Sequence, residues 1–354
     1  MRIPEPEMMR EAVAVRAFGP ADAAAWENFV AASPDAGFFH RLPWRQVVED
    51  NLGHQGHYRC AWRGEVLVGI LPLIHVRSRF FGNALVSVGF GVYGGIAAAD
   101  AEATRALAAD AAALGEALGV DFVELRHRTE SGLGWLTKSE LYATFSRTLA
   151  AKSDANLKAI PRKKRADLRK AIDNPALKVE TGADLATFYR IYSESLRNLG
   201  TPVMQRRFYK AILEELGPAA DLSAVYGPDG PVAALTTFYF RDRAMPYYGG
   251  ATAAARPLHA YDLLYWSLMD RAVARGCPVF DFGRSKRGTG SFDYKTYWGF
   301  TAEPLHYDFH LVRSQSLPDV NPLNPKYRLM IETWRRLPLG VANTIGPFIA
   351  RQLG

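Results

Sequence analysis

Three observations predict an α/β fold built twice over in one chain. The first is size: 354 residues exceed what one hydrophobic core usually serves, and 48% of them are apolar, which is material for two. The second is order, since each half runs from a helix-rich start through a strand meander to a long helix and a closing strand. The third is a local repeat. A helix halted by Gly119 precedes the strand Val120–Leu125, and a helix halted by Gly276 precedes Val279–Phe282. Together they predict a tandem duplication with mixed sheets flanked by helices: residues 1–155, residues 156–312, and a helical tail at 313–354 expected to dock on the first domain.

In the first half, a strand is expected around Ala12–Phe18, then a helix from Ala21 to Ala32. Phe38–Trp44 turns into a second helix with Pro43 suited to its first turn. Strands at His57–Trp62 and Glu65–His75 follow, joined through Arg63-Gly64 in hairpin fashion. A loop at Arg77–Gly82 leads to a strand at Leu85–Gly91. Leu107, Ala111, Leu114 and Leu118 then line one face of the helix Ala101–Leu118.

The second half is predicted to hold helices at Phe188–Leu199, Arg206–Leu216 and 259–275, with strands at Leu222–Tyr226, Pro231–Arg241 and Ala244–Gly249. At its head lies a basic block, 158–170, in which Lys158, Arg162, Lys163, Lys164, Arg165, Arg169 and Lys170 face one acid, Asp167. Helical spacing puts Arg162, Arg165 and Arg169 on one face and lets Leu168, Ala171 and Ile172 anchor the other. Such crowding points to a polyanionic ligand or to a solvated helix. The tail carries Val341, Ile345, Phe348 and Ile349 beside Arg335, Arg336 and Arg351, a pattern for docking on the body or for contact with a membrane surface.

The chemistry concentrates after Phe282, where Gly283-Arg284-Ser285-Lys286-Arg287-Gly288-Thr289-Gly290 packs cations among glycines. Backbone N–H groups at Gly288 and Gly290, with Arg284, Ser285 and Lys286, suit a phosphate or carboxylate. Phe292, Tyr294, Tyr297, Trp298 and Phe300 then argue for a packed segment rather than a loose loop. The net charge of +7 also favours an anionic partner. Cys60 and Cys277 form no CxxC pair, and His54 and His57 beside Glu49 and Asp50 make only a faint metal pattern, so no metal is expected. Nor is there a Walker-type phosphate loop, a complete dinucleotide fingerprint or a Gly-x-Ser-x-Gly elbow. An acidic, proline-bearing start without an apolar run gives a cytoplasmic expectation, with the inner face of the inner membrane as an alternative station.

The run Tyr294-Lys295-Thr296-Tyr297-Trp298-Gly299-Phe300 resembles the aromatic-Lys-x-x-aromatic-Gly-Phe signature of Fem-type peptidyltransferases, and Phe280-Asp281-Phe282-Gly283-Arg284-Ser285 resembles the strand and loop before it. More narrowly, the basic block, Pro304-Leu305-His306-Tyr307 and the stretch Asn321–Tyr327 resemble the Fem-related proteins of the exosortase (PEP-CTERM) system. The element order above is likewise that of the acetyltransferase-like (GNAT) module. The resemblance implies two GNAT-like domains and acyl, aminoacyl or peptidyl transfer to an amine on a cell-envelope or exopolysaccharide precursor. It implies that Lys295 stabilises negative charge, that Asp281 or Asp293 orients it or acts as base, and that Arg284 holds an anionic group while Phe292, Tyr294 and Trp298 wall the pocket.

Two departures leave the donor open between acyl-CoA and aminoacyl-tRNA, with no permanently bound cofactor expected. There is no room for a long helical arm between Phe188 and Tyr226. The places where a CoA-binding turn would fall read Val92-Tyr93-Gly94-Gly95 and Tyr248-Gly249-Gly250-Ala251. The competing expectation is a non-catalytic scaffold that binds a lipid- or nucleotide-linked anion.

Overall fold

The computed structural model describes residues 11–78, 82–317 and 325–353. The acidic start, part of the Arg77–Gly82 loop and the motif residues 321–324 lie outside the described residues. The chain divides into two compact units: residues 1–140 with 304–319 and 352–354, and residues 141–303 with 320–351.

In the first unit, β1 (Val13–Ala17) is followed by α1 (Ala23–Ala32) and α2 (Leu42–Leu52), the latter with Pro43 in its first turn and left-handed Gly53 at its end. β2 (Arg59–Arg63) pairs antiparallel with β1 and with β3 (Val66–Leu71). The single strand expected over Glu65–His75 is divided at Pro72, which has no N–H to give a ladder. Past it, β4 (Leu73–Ser78) joins a different sheet. β5 (Gly82–Ser87) also starts and stops earlier than expected, and Val88–Tyr93 turns away, with Phe90 and Tyr93 at positive φ. α3 (Ala101–Leu118) matches its prediction: Asp100 accepts from the Ala103 N–H at 2.9 Å, and Gly119 ends the helix at φ 59°. β6 (Phe122–His127) then runs parallel to β5, with Ala84 through Ser87 beside Phe122 through Leu125. The much later strand His306–Leu311 inserts between β6 and Leu136–Lys138.

The second unit begins at Leu141, earlier than the boundary expected at 156. The reason is pairing: β7 (Tyr142–Thr144) and β8 (Ser146–Thr148) bond to residues more than a hundred positions downstream, beyond any local pattern. Then come α4 (Arg162–Ile172), β9 (Lys178–Thr181), α5 (Leu185–Leu199) and α6 (Arg206–Leu216). The meander β10 (Ala220–Gly227), β11 (Gly230–Phe240) and β12 (Arg243–Ala251) leads through α7 (Ala260–Ala274) to β13 (Val279–Asp281). β14 (Ser285–Lys286) and α8 (Gly290–Tyr297) follow. The strand order is β8-β13-β12-β11-β10-β9. β12 and β13 run parallel but pair only at Arg243–Val279 and Ala244–Phe280, so β12 continues to Ala251 paired with β11 on its other side only. Phe145, Ile160, Leu168, Phe280, Phe282, Trp298 and Phe300 are buried in this unit's core.

The tail corrects an expectation. α9 (Pro325–Arg336) and α10 (Leu339–Ala350) belong to the second unit and pack on α5, while residues 352–354 group with the first. Gly200, left-handed at φ 81°, ends α5 and leaves space that Ile331 takes; a Cβ there would lie 2.4 Å from the Ile331 side chain. Asn343 Nδ2 donates to Ser193 Oγ at 3.3 Å, and Arg197 donates to the Arg335 and Leu337 carbonyls.

Candidate active site

Among the described residues of this unit, Lys295 is the buried cation. The loop after β13 is the reason. Gly283 adopts φ 71°, a conformation open to glycine, and its N–H donates to Asp281 Oδ1 at 2.9 Å, which closes a tight turn. That turn aims two carbonyls inward: Lys295 Nζ donates to Gly283 O at 2.9 Å and to Arg284 O at 3.1 Å. The amine also stands over the rings of Phe145 and Phe282, 5.5 and 5.9 Å from their centroids. Burial pushes it down to about 7; the Asp281 charge opposes this and Arg284 adds to it. Asp281 is itself buried, with Arg243 Nη1 3.9 Å from Oδ2.

Asp293 does not meet its expected role of orienting Lys295. Residues two apart on a helix face different ways, and Asp293 is exposed on the first turn of α8 while Lys295 points into the core. The rest of the loop is held from β7. Ser285 and Lys286 pair with Ala143 and Tyr142, and the Arg284 guanidinium lies 4.7 Å from the Tyr142 ring centroid. Arg287 stands over Phe292, whose ring meets Phe145 edge-on at 5.2 Å. Gly288 is left-handed at φ 75°, whereas Gly290 opens α8, with free space where its side chain would be. Three buried polar atoms here have no hydrogen-bond partner among the described residues: Ser285 Oγ, Arg287 Nε and Trp298 Nε1.

A second cluster ties the basic helix to α8. Lys164 donates to Asp262 Oδ1, and the Tyr294 hydroxyl donates to the same oxygen at 2.6 Å. The Lys164 ammonium sits 4.5 Å from the Tyr294 ring centroid and 5.5 Å from that of Trp298. Burial raises the Tyr294 hydroxyl well above the usual tyrosine range, with Asp262 adding to it. His259, left-handed at φ 50° before α7, places Nδ1 3.8 Å from Asp262 Oδ2 and Nε2 3.8 Å from Asp167 Oδ1.

The structure therefore brings together Lys295, Asp281, Arg284, Ser285, Phe292, Tyr294 and Trp298. The expected cationic face of α4 is kept only in part. Arg162 and Arg169 are exposed, but Arg165 donates back to Lys158 O at 2.7 Å, and Lys164 and Lys170 have found carboxylates. Leu168 and Ala171 anchor the helix; Ile172 is 39% exposed and does not. Asp262 was missed, because an acid inside an apolar helical run carries no local signal of its partner ninety-eight residues earlier.

The comparisons agree with this geometry at the level of fold. A family model described as an acetyltransferase (GNAT) domain matches residues 155–296. FemX superposes with a TM-score of 0.67 at 13% identity, covering 90% of this chain and all of its own. A tandem GNAT protein from the clavulanic acid biosynthesis pathway gives 0.56 at 10% identity, covering 86% of this chain and 100% of that one. L-PGS from Bacillus licheniformis gives 0.55 at 12%, covering 90% and 96%. No curated protein matches the chain. The chain thus has the fold of tandem GNAT proteins, with mixed sheets flanked by helices, and residues 155–296 are similar to the GNAT domain. Among the described residues no group of three metal-ligating side chains occurs, and no helix is long and apolar enough to cross a membrane.

Proposed function

We propose that the second unit transfers an acyl or aminoacyl group to an amine, with Lys295 as the group that meets developing negative charge. The observation that carries this reading is a buried amine fixed by the Gly283 and Arg284 carbonyls just past the point where β12 and β13 part. Two of its hydrogens are committed; as an ammonium it keeps a third to donate. An amine attacks the donor carbonyl, a C–N bond forms, and the oxyanion of the tetrahedral intermediate is stabilised by that third hydrogen. The intermediate then collapses with departure of the thiol or hydroxyl leaving group, which takes up the proton lost by the amine. Asp281 contributes by charge and by closing the Gly283 turn; Asp293, on the surface, is the candidate to take the amine proton and relay it to the leaving group.

Arg284, Lys286 and the Gly288–Gly290 stretch are the candidate grip on an anionic part of either substrate, with Arg162 and Arg169 as outlying contacts. Acyl-CoA and aminoacyl-tRNA remain the two donor classes. Likeness of the basic block, Pro304-Leu305-His306-Tyr307 and Asn321–Tyr327 to the exosortase-associated Fem-related subgroup supports an envelope or exopolysaccharide precursor as acceptor. The test is to supply each donor class with amine-bearing acceptors and follow product by mass spectrometry, for the wild-type chain, Lys295→Ala and Arg284→Ala. Product formation lost in Lys295→Ala supports the reading. Donor binding without turnover, equal in wild type and Lys295→Ala, refutes it in favour of a scaffold.

A further inference from the structure

We infer that the outer face of the C-terminal helix pair is a docking surface for anionic phospholipid headgroups. α10 is two-faced. Ala342, Gly346, Pro347 and Ala350 are buried, whereas Val341, Ile345 and Phe348, at helical spacing on the opposite side, are 44%, 40% and 56% exposed. On α9, Leu329 is 75% and Met330 46% exposed. Single exposed apolar residues are ordinary; a stripe of branched and aromatic side chains along one helix face is not.

The charge around this stripe names the occupant. Arg335 and Arg336 are exposed at the turn between α9 and α10, and Arg351 closes the far end with its guanidinium 5.7 Å from the Phe348 ring centroid. From Thr333 to Gly354 the sequence contains three arginines and no acid. Apolar side chains that can enter the headgroup boundary, framed by cations at both ends, are the pattern of an interfacial helix on an anionic leaflet. A second copy of the same face would bring these arginines against one another. The surface is independent of the transfer chemistry, since its residues are not those of the candidate active site.

Flotation of the full chain with phosphatidylcholine vesicles, and with vesicles mixed with phosphatidylglycerol, tests this. Binding is expected to the mixed vesicles only and to fall as salt is raised. Reversal of two cations in Arg335→Glu/Arg336→Glu, and loss of the apolar contact in Ile345→Ser/Phe348→Ser, should each weaken it about tenfold or more. All four positions are exposed, so unchanged melting temperatures are expected of both variants. The proposal is overturned by absence of binding to the mixed vesicles, by equal binding to neutral ones, by insensitivity to either variant, or by self-association in sedimentation that Ile345→Ser/Phe348→Ser abolishes.

Discussion

The two parallel strand pairs end differently. At the end of β6 the buried cation is Arg126, which donates to Glu124 Oε1 at 2.7 Å and to Gly91 O at 3.2 Å. Next to it His127 fills the space Gly95 leaves, and burial holds its ring down to about 4 despite Asp308 nearby. His40 Nε2 closes on Gly95 O at 2.8 Å. At the end of β13 the buried cation is Lys295, held by carbonyls, with Ser285 Oγ and Trp298 Nε1 unpartnered close by in sequence. An arginine cannot shed its charge when buried and must be paired; a lysine can, so its protonation becomes a variable. The first unit's strand end is built as structure, and the second unit's retains an adjustable group.

That contrast can be broken in several ways. Arg126→Leu leaves Glu124 buried without its cation and should cost about 3–5 kcal/mol in urea unfolding. Lys295→Ala should lower turnover about a hundred- to a thousandfold, the loss expected for an oxyanion donor, in steady-state assays on folded protein. Gly95→Ala puts a Cβ 2.3 Å from His127 Nδ1, so the ring must move; about 1–3 kcal/mol of stability should go. Turnover per folded molecule should survive that change.

Protonation sharpens the comparison further. In the fold Lys295 releases its proton near 7, whereas in the unfolded chain it holds it toward 10.5, so across that window the unfolded state binds more protons. Stability therefore rises with pH there, and Lys295→Met should flatten the rise in denaturation curves. Because the ammonium is the donating form, turnover should fall as pH climbs through about 7. The smallest effect is expected at the exposed basic helix: Arg162→Ala with Arg169→Ala should shift stability by less than about 0.5 kcal/mol. Any change it makes in binding a polyanionic substrate should fade with added salt.

What the sequence made legible follows the range of the interactions involved. α3 and α6 fall on the residues their periodicity marks, and Gly119 and Gly276 stop where a left-handed residue must. The aromatic run around Lys295 is packed at Trp298 and Phe300 and half-buried at Phe292 and Tyr294, but Tyr297 is 64% exposed, against the expectation. Missed were β7 and β8, whose partners come more than a hundred residues later, and the Lys164–Asp262 pair, for the same reason. Pro72 was present in the sequence as a strand breaker, but the apolar run on both sides hid it. The tail's stripe was visible; where α9 would dock depended on Gly200, a residue whose effect is the space it leaves to Ile331.

The strand His306–Leu311 carries a consequence for synthesis. It completes the first unit's sheet between β6 and Leu136–Lys138, yet it is translated after residues 141–303 of the second. While the chain emerges from the ribosome, the first unit must wait with β6 as an open edge, a template for stray pairing, until residues 141–303 have passed. A chain truncated after residue 303 should therefore leave the first unit open to protease, whereas the full chain protects it.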